Sequence, residues 1–345
     1  MPAPLVSVVI PGFNCAQHVV ATLESVFAQT HPNIEVIFVD DGSTDDTPKI
    51  LEQFRQRITI IRTKNGGLGA ARNAGMAHAQ GEYIAWLDGD DLCEPERIAV
   101  QASFLAHRPE VAVISTAFST FNEEGLIAAS GGPAYYTALK RYPLDTLFSH
   151  LDVFTGADVG WLGRTFEPVH RIYWGRIWER LILGNFMHPP TLMMRRDAQR
   201  EVGNLSLGMD IGTDWDYILR LAHVGPAALV DTPLLKYRRH GEQMSGRLLE
   251  GQLTAIRVLQ ALLARHGDEL TELRPQIERK FAQCHALAAY FLAEESRSRA
   301  LSHLVSAALR DPRETRVGYH LSRIIAGRSG LALLRRLRRQ PTVRR

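Results

Sequence analysis

The chain has 345 residues, 45% of them apolar, which is enough for two domains and too apolar for a disordered chain. Net charge is only +3, unevenly spread, with arginine crowded into the C-terminal third. Three scattered cysteines, Cys15, Cys93 and Cys284, lack metal-ligand spacing, which argues against a disulfide or zinc scaffold and for a reduced intracellular protein.

The opening Met1-Pro2-Ala3-Pro4 lacks the basic and apolar regions of a signal peptide, and no uninterrupted apolar run is long enough to span a bilayer. A cytoplasmic protein is the expectation, with peripheral attachment to the inner face of the membrane left open. Strand and helix patterns alternate strictly through the first third. Leu5 to Ile10 reads as a buried strand, Ala16 to Gln29 as a helix, Ile34 to Val39 as a strand and Thr44 to Arg57 as a helix. Ile58 to Arg62, Leu68 to Ala79, the strand opening at Tyr83, Pro95 to His107 and Val111 to Thr116 continue the alternation. Such a pattern predicts a mostly parallel sheet with right-handed crossovers.

From about 121 to 175 the periodicity fades, which predicts an irregular insertion. Helix is expected at Ile177 to Leu183 and Asp214 to His223, strand at Thr191 to Arg195 and Ala228 to Val230. Beyond Leu248 the pattern is all helical. Leu287, Tyr290, Leu301, Leu304 and Leu309 suggest one helical hairpin of tetratricopeptide type. The division expected is a domain over 1–245 and a helical region over 246–345.

Four loops leave strands on one edge of this sheet, and each carries polar groups. Pro11-Gly12-Phe13-Asn14 leaves the first strand, where Phe13 could line a base. Asp40 and Asp41 leave the second, able to accept hydrogen bonds from a base or ribose. Asn65-Gly66-Gly67-Leu68-Gly69 opens a helix, where free N–H groups favour anions, with Arg72 one turn in. Asp88-Gly89-Asp90-Asp91 ends the fourth strand. Its carboxylates repel one another, which a hard cation such as Mg²⁺ or Mn²⁺ relieves, and Gly89 allows close backbone approach. Each loop also has a plain structural reading as a cap or turn, including Asp91 as the cap of the helix near Pro95. Their convergence on one edge favours a site.

Gly67-Leu68-Gly69-Ala70-Ala71-Arg72 approximates the dinucleotide fingerprint. Arg72 stands where the third glycine belongs, and hydride transfer has no use for the Asp88/Asp90 pair. An NAD(P)-linked oxidoreductase is therefore the second reading. A catalytically inactive nucleotide-binding scaffold is the third, with intact Asp90 and Asp214 against it.

Ser7 to Asn14, Val39 to Asp45, Asn65 to Asn73 and Trp86 to Asp91 together resemble family 2 glycosyltransferases of GT-A fold. The resemblance covers residues 5 to about 115 and resumes at 185 to 245. It implies an α/β protein with a GT-A type nucleotide-binding sheet, followed here by the C-terminal helical appendage. It also implies an inverting transferase using a nucleotide-diphosphate sugar (UDP or dTDP favoured), Mn²⁺ or Mg²⁺, and a glycan or lipid-linked acceptor.

Carried over by position, Pro11, Phe13, Asn14, Asp40, Asp41 and Arg72 would hold the nucleoside. Asp88 with Gly89 would face the ribose or metal, and Asp90 would ligate the metal. Asp214 resembles the family's base, although Thr213 stands where Glu is usual, and Asp216 could take its place. His188-Pro189-Pro190-Thr191 resembles a segment on the acceptor side, and His240 resembles a histidine completing the metal site in some members. A carboxylate opening a helix is expected to be held ionised by the dipole. Leu331, Leu334 and Leu337, interleaved with Arg335, Arg336, Arg338 and Arg339, read either as a basic amphipathic segment on anionic lipid or as a solvated, frayed terminus. Without interleaved aromatics the tail does not suggest nucleic acid.

Overall fold

The computed structural model describes residues 2–156, 161, 166, 169–208, 212–240, 248–312 and 321. The tail motif lies outside them. The chain divides into two compact units, Met1–Gln243 and Met244–Arg345.

In the first unit β1 (Val6–Gly12), α1 (Val19–Phe27), β2 (Ile34–Asp40), α2 (Thr47–Leu51), β3 (Thr59–Arg62), α3 (Leu68–His78) and β4 (Tyr83–Trp86) alternate as the periodicity predicts. The short β5 (Leu92–Cys93), α4 (Arg97–His107) and β6 (Val113–Asn122) follow. Every residue of β1 and β4 is buried, as expected of strands covered on both faces, whereas edge strand β3 buries none fully. Helices expected over Ala16 to Gln29 and Thr44 to Arg57 are shorter than the apolar spacing suggested. Pro48 sits in the first turn of α2, and the chain tightens into a 3₁₀ turn at Glu52–Phe54.

The stretch expected to be irregular holds real structure. It contains β7 (Gly125–Ala128), three short helices α5 (Gly132–Tyr135), α6 (Thr137–Arg141) and α7 (Leu144–Leu147), then β8 (His150–Phe154) and β9 (His170–Gly175). The pair β8–β9 is antiparallel and carries the sheet to its far edge. Strands only four to six residues long, broken by glycine and proline, leave too little repeat for periodicity to register. After α8 (Trp178–Ile182) come β10 (Met193–Arg195), α9 (Arg196–Val202), α10 (Thr213–Val224) and β11 (Ala227–Arg238).

The strand order is β3-β2-β1-β4-β10-β6-β11-β9-β8, with β5 added to β11 and β7 to β6. Strands β3, β2, β1 and β4 are mutually parallel, and β10 is antiparallel to both β4 and β6. Since β11 is parallel to β6, six strands deliver their C-terminal ends to one edge. This is a GT-A type mixed, mostly parallel sheet with flanking helices. Ligands bind at such an edge in open α/β sheets.

The second unit holds α11 (Leu248–His266), α12 (Arg274–Leu292) and α13 (Arg297–Arg310). Helices α12 and α13 form the expected hairpin, and of its expected packing residues Leu304 is buried in the seam, whereas Leu287, Leu301 and Leu309 are exposed. Ala289, Leu292, Ala293 and Ala300 complete the core, and the small side chains among them let the helix axes approach.

Gly75 of α3 lies against β1 and β2, and a Cβ there would sit 2.3 Å from Val9 Cγ1 and 3.1 Å from Val39 Cγ2. Gly251 of α11 would place a Cβ in open space. Gly75→Ala is expected to cost about 1–3 kcal/mol through overpacking. Gly251→Ala should be stabilising by up to about 1 kcal/mol through helix propensity. Denaturant titration of both variants checks the pair, and equal effects would contradict the packing described.

Candidate active site

The acidic loop begins where β4 ends. Arg97, fully buried on α4, donates from Nη2 to the Trp86 carbonyl at 2.7 Å and braces the point where the chain leaves the sheet. Gly89 N–H donates to Pro11 O at 3.1 Å, and Thr22 Oγ1 donates to Gly89 O at 3.1 Å. A Cβ on Gly89 would lie 3.1 Å from that Pro11 oxygen and 3.3 Å from Gly12 Cα, so the glycine allows the acidic loop to press against the end of β1.

The three carboxylates are handled differently. Asp88 Oδ1 accepts from Arg72 Nη2 at 2.7 Å, and Arg72 is itself buried with its guanidinium over the Trp86 ring at 4.5 Å. Burial nonetheless raises the Asp88 carboxyl above its ordinary value, partly opposed by Arg72. Asp90 Oδ2 lies 2.9 Å from His240 Nε2. Asp91 is fully buried, and burial, reinforced by Asp90 and Asp88, pushes its carboxyl well up. It does not cap α4, as the sequence had suggested. Its Oδ1 instead accepts the backbone N–H of Arg238 at 2.9 Å.

The other loops interlock around this one. Phe13 is 47% exposed and free to stack on a planar group. Asn14 Oδ1 accepts from Thr44 N–H at 2.8 Å, and Asn14 N–H donates to Ser43 Oγ at 2.9 Å, so this side chain joins the first two loops. Pro11 lies in β1 opposite Val39. Asp40 accepts from Ser43 N–H at 2.9 Å and pairs with Arg62 at 3.2 Å. Asp41 accepts from Thr63 Oγ1 and Gly66 N–H at 3.0 Å each and from Gly67 N–H at 2.8 Å. In this structure Asp41 therefore fixes the glycine loop, a job its position in the sequence did not reveal.

Asp214 stands in the first turn of α10, entered through Gly212 in the left-handed region at φ +83°. Asp214 Oδ1 accepts from Trp215 N–H at 2.8 Å, and its carboxylate has no side-chain partner among the described residues. Asp216 is committed to structure, with Oδ2 3.1 Å from Arg220 and 3.0 Å from Ser206 Oγ. Thr213 Oγ1 lies 3.5 Å from where a Cβ on Gly69 would sit, which brings the start of α10 against the glycine loop. The dipole was expected to favour the ionised carboxylate. Burial outweighs it and raises the Asp214 carboxyl, with Arg72 pulling the other way.

His188 joins the site through residues with no visible signature in the sequence. Its ring stacks on Phe118 at 3.9 Å, and Nδ1 lies 2.9 Å from Tyr136 Oη. Tyr136 comes from the insertion, and its phenol is pushed well up by burial and next by the charge of Asp214. A cavity of about 150 Å³ lies beside this pair, lined among others by Phe118, His188 and by Leu139, Tyr142 and Leu144 of the insertion. His18, also unmarked in the sequence, packs its ring 5.8 Å from that of His240.

Arg72 Nε and Nη1 are buried without a hydrogen-bond partner among the described residues. Two idle guanidinium donors beside carboxylates and an imidazole fit an anionic nucleotide together with a hard divalent cation. The structure brings His240 to Asp90, while Asp88 is turned to Arg72, so among the described residues Asp88, Asp90 and His240 do not already form one compact cluster, and they would have to draw together to hold that cation.

An open sheet that brings a glycine loop, an acidic loop and a helix-borne carboxylate to one edge is the arrangement of the GT-A fold. Residues 7–165 match the family model described as Glycosyl transferase family 2. That region, somewhat less than half of the chain, is a family 2 glycosyl transferase region. It is 39% identical over 248 residues to an uncharacterized glycosyltransferase of Rickettsia felis, covering 71% of this chain and 36% of that protein. It is 40% identical over 134 residues to the putative teichuronic acid biosynthesis glycosyltransferase TuaG of Bacillus subtilis, covering 38% and 50%. The match thus spans half or less of the length of these curated relatives. The solved structure of S. aureus TarS 1-349 in complex with UDP-GlcNAc shares the fold, with TM-score 0.54 and 18% identity over 92% of this chain and 90% of that one. No described helix is long and apolar enough to cross a membrane.

His188 is buried and its pKa is lowered to about 3, by burial first and then by Arg72 and Arg97. The unfolded chain therefore binds the proton more readily, and this residue costs stability as pH falls below about 6.5 and on towards 3. The slope is at most about 1.4 kcal/mol per pH unit. His188→Gln should flatten the acid side of a stability-against-pH curve measured by urea titration. An unchanged slope would contradict a buried neutral imidazole.

Proposed function

We propose that this protein transfers a sugar from a nucleotide-diphosphate donor to a hydroxyl acceptor, with inversion and with help from Mn²⁺ or Mg²⁺, in the assembly of a surface polysaccharide or glycoconjugate. The observation that carries the mechanism is the contrast between Asp214, whose carboxylate has no side-chain partner, and Asp216, which is bound to Arg220 and Ser206. The family match, the likeness to TarS solved in complex with UDP-GlcNAc, and the similarity to TuaG, a putative teichuronic acid biosynthesis glycosyltransferase, support the donor and pathway class.

In this reading Phe13 faces the nucleoside, Asp40 reaches it only by giving up its Ser43 or Arg62 contact, and Arg72 offers its two idle donors to the nucleotide. A divalent cation, when bound by Asp88, Asp90 and His240, supplies the positive charge that offsets the departing diphosphate. Asp214 accepts the proton of the acceptor hydroxyl as its oxygen bonds to the anomeric carbon. The bond from that carbon to the diphosphate oxygen breaks on the opposite face, so one carboxylate suffices and configuration inverts. The raised pKa of Asp214 makes it a stronger base once ionised. The acceptor enters beside Tyr136 and His188, where the insertion and its cavity set the choice of acceptor.

Asp214→Asn should leave donor affinity and melting temperature near those of the parent while slowing transfer at least about a hundredfold. Asp216→Asn should do the reverse, keeping activity but losing about 1–3 kcal/mol of stability with its hydrogen bonds. Release of nucleoside diphosphate from a panel of sugar nucleotides, with Mn²⁺ or with EDTA, reads both variants. Undiminished transfer by Asp214→Asn, or in EDTA, would overturn the mechanism.

A further inference from the structure

Of the three carboxylates in the acidic loop, Asp91 alone has no exposed surface. Unlike Asp88 and Asp90 it presents no surface, and its Oδ1 is taken up by the backbone. What surrounds it is strand β11. Immediately after Asp91, Leu92 and Cys93 pair with Lys236 and Leu235, and Glu94 N–H donates to Leu234 O at 3.0 Å. That ladder runs out at Leu92 and Lys236. One step further along β11 that faces the same way, the backbone N–H of Arg238 finds Asp91 Oδ1 at 2.9 Å.

The contact is reciprocated. Arg238 Nε donates to the Asp90 backbone oxygen at 2.8 Å, and two residues later His240 Nε2 meets Asp90 Oδ2 at 2.9 Å. On its other side the end of β11 is held by β6, with Arg238 opposite Phe121 and Arg239 N–H donating to Phe121 O at 2.7 Å.

We infer that Asp91 is a positioning residue and not a metal ligand: its side chain supplies a further rung to the β5–β11 ladder and so sets where His240 stands against Asp90. The role requires a hydrogen-bond acceptor at Oδ1 and does not require a charge. Its consequence for cation binding rests on the function proposed above, whereas the rung itself does not.

The test uses the full chain with Asp91→Asn, which keeps the acceptor, Asp91→Ala, which removes it, and Asp90→Asn as the ligand control. Amide hydrogen exchange over residues 234–240, without metal or nucleotide, reads the rung directly. Asp91→Ala should speed exchange there at least about fivefold while β1 to β4 keep their protection, and Asp91→Asn should match the parent. Electron paramagnetic resonance of Mn²⁺ in the presence of UDP reads the consequence. Asp91→Ala should weaken Mn²⁺ about 10–100-fold, as loss of a supporting contact does, and Asp91→Asn should stay within about threefold of the parent.

Asp91→Asn losing Mn²⁺ as completely as Asp90→Asn would make Asp91 a ligand and overturn the inference. Unchanged exchange in Asp91→Ala would overturn it as well. Should Asp91→Ala not fold, Asp91→Asn still decides, because parent-like exchange supports the rung and accelerated exchange at 234–240 refutes it. A parent that binds no Mn²⁺ would contradict the metal-dependent function while leaving the exchange result to judge the rung.

Discussion

Carboxylate repulsion at the end of β4 is the constraint on which the rest of the site depends. Three aspartates within four residues leave a buried strand, and burying them together is unfavourable unless each charge is answered. The structure answers Asp88 with the Arg72 guanidinium, Asp90 with the His240 imidazole, and Asp91 with complete burial against the Arg238 amide. These answers come from two distant parts of the chain, α3 and the end of β11. The acidic loop can therefore hold its shape only when α3 and the end of β11 are both in place, which couples the nucleotide side of the site to the side where β11 ends.

The same economy appears in the neighbouring loops. Asp41 and Asn14 spend their side chains tying loops together, so that Phe13 and the free donors of Arg72 are left to face a ligand. At the start of α10, Asp216 anchors the helix and Asp214 keeps its carboxylate clear of side-chain partners among the described residues. Two carboxylates two residues apart thus divide into an engaged one and a disengaged one, the contrast on which the proposed mechanism rests, because Arg220, a turn further on, reaches Asp216 and not Asp214.

Most of the nucleotide side was legible in the sequence because its loops are short, follow regular strands and carry residues whose plain role is rare at such density. What could not be read came from contacts between distant segments. Nothing local distinguishes Asp91 from Asp90, and their separation depends on a strand that begins over a hundred residues later. Tyr136 and His188 lie 52 residues apart, one of them in a stretch without periodicity. The hairpin of α12 and α13 was read from leucines of which Leu287, Leu301 and Leu309 face solvent and Leu304 alone packs in the seam, because alanine-rich seams leave little hydrophobic contrast to detect.

On the side proposed for the acceptor, the insertion brings Tyr136 to His188, and the charge of Asp214 is felt at that phenol. In the proposed mechanism a single reactive carboxylate opposite the diphosphate commits the reaction to one displacement at the anomeric carbon. The anomeric configuration of the product, read by proton NMR on the first sugar transferred from a donor of known configuration, tests that claim most directly. The account requires inversion, an α-linked donor giving a β-linked product. A product that retains the donor's configuration would contradict it.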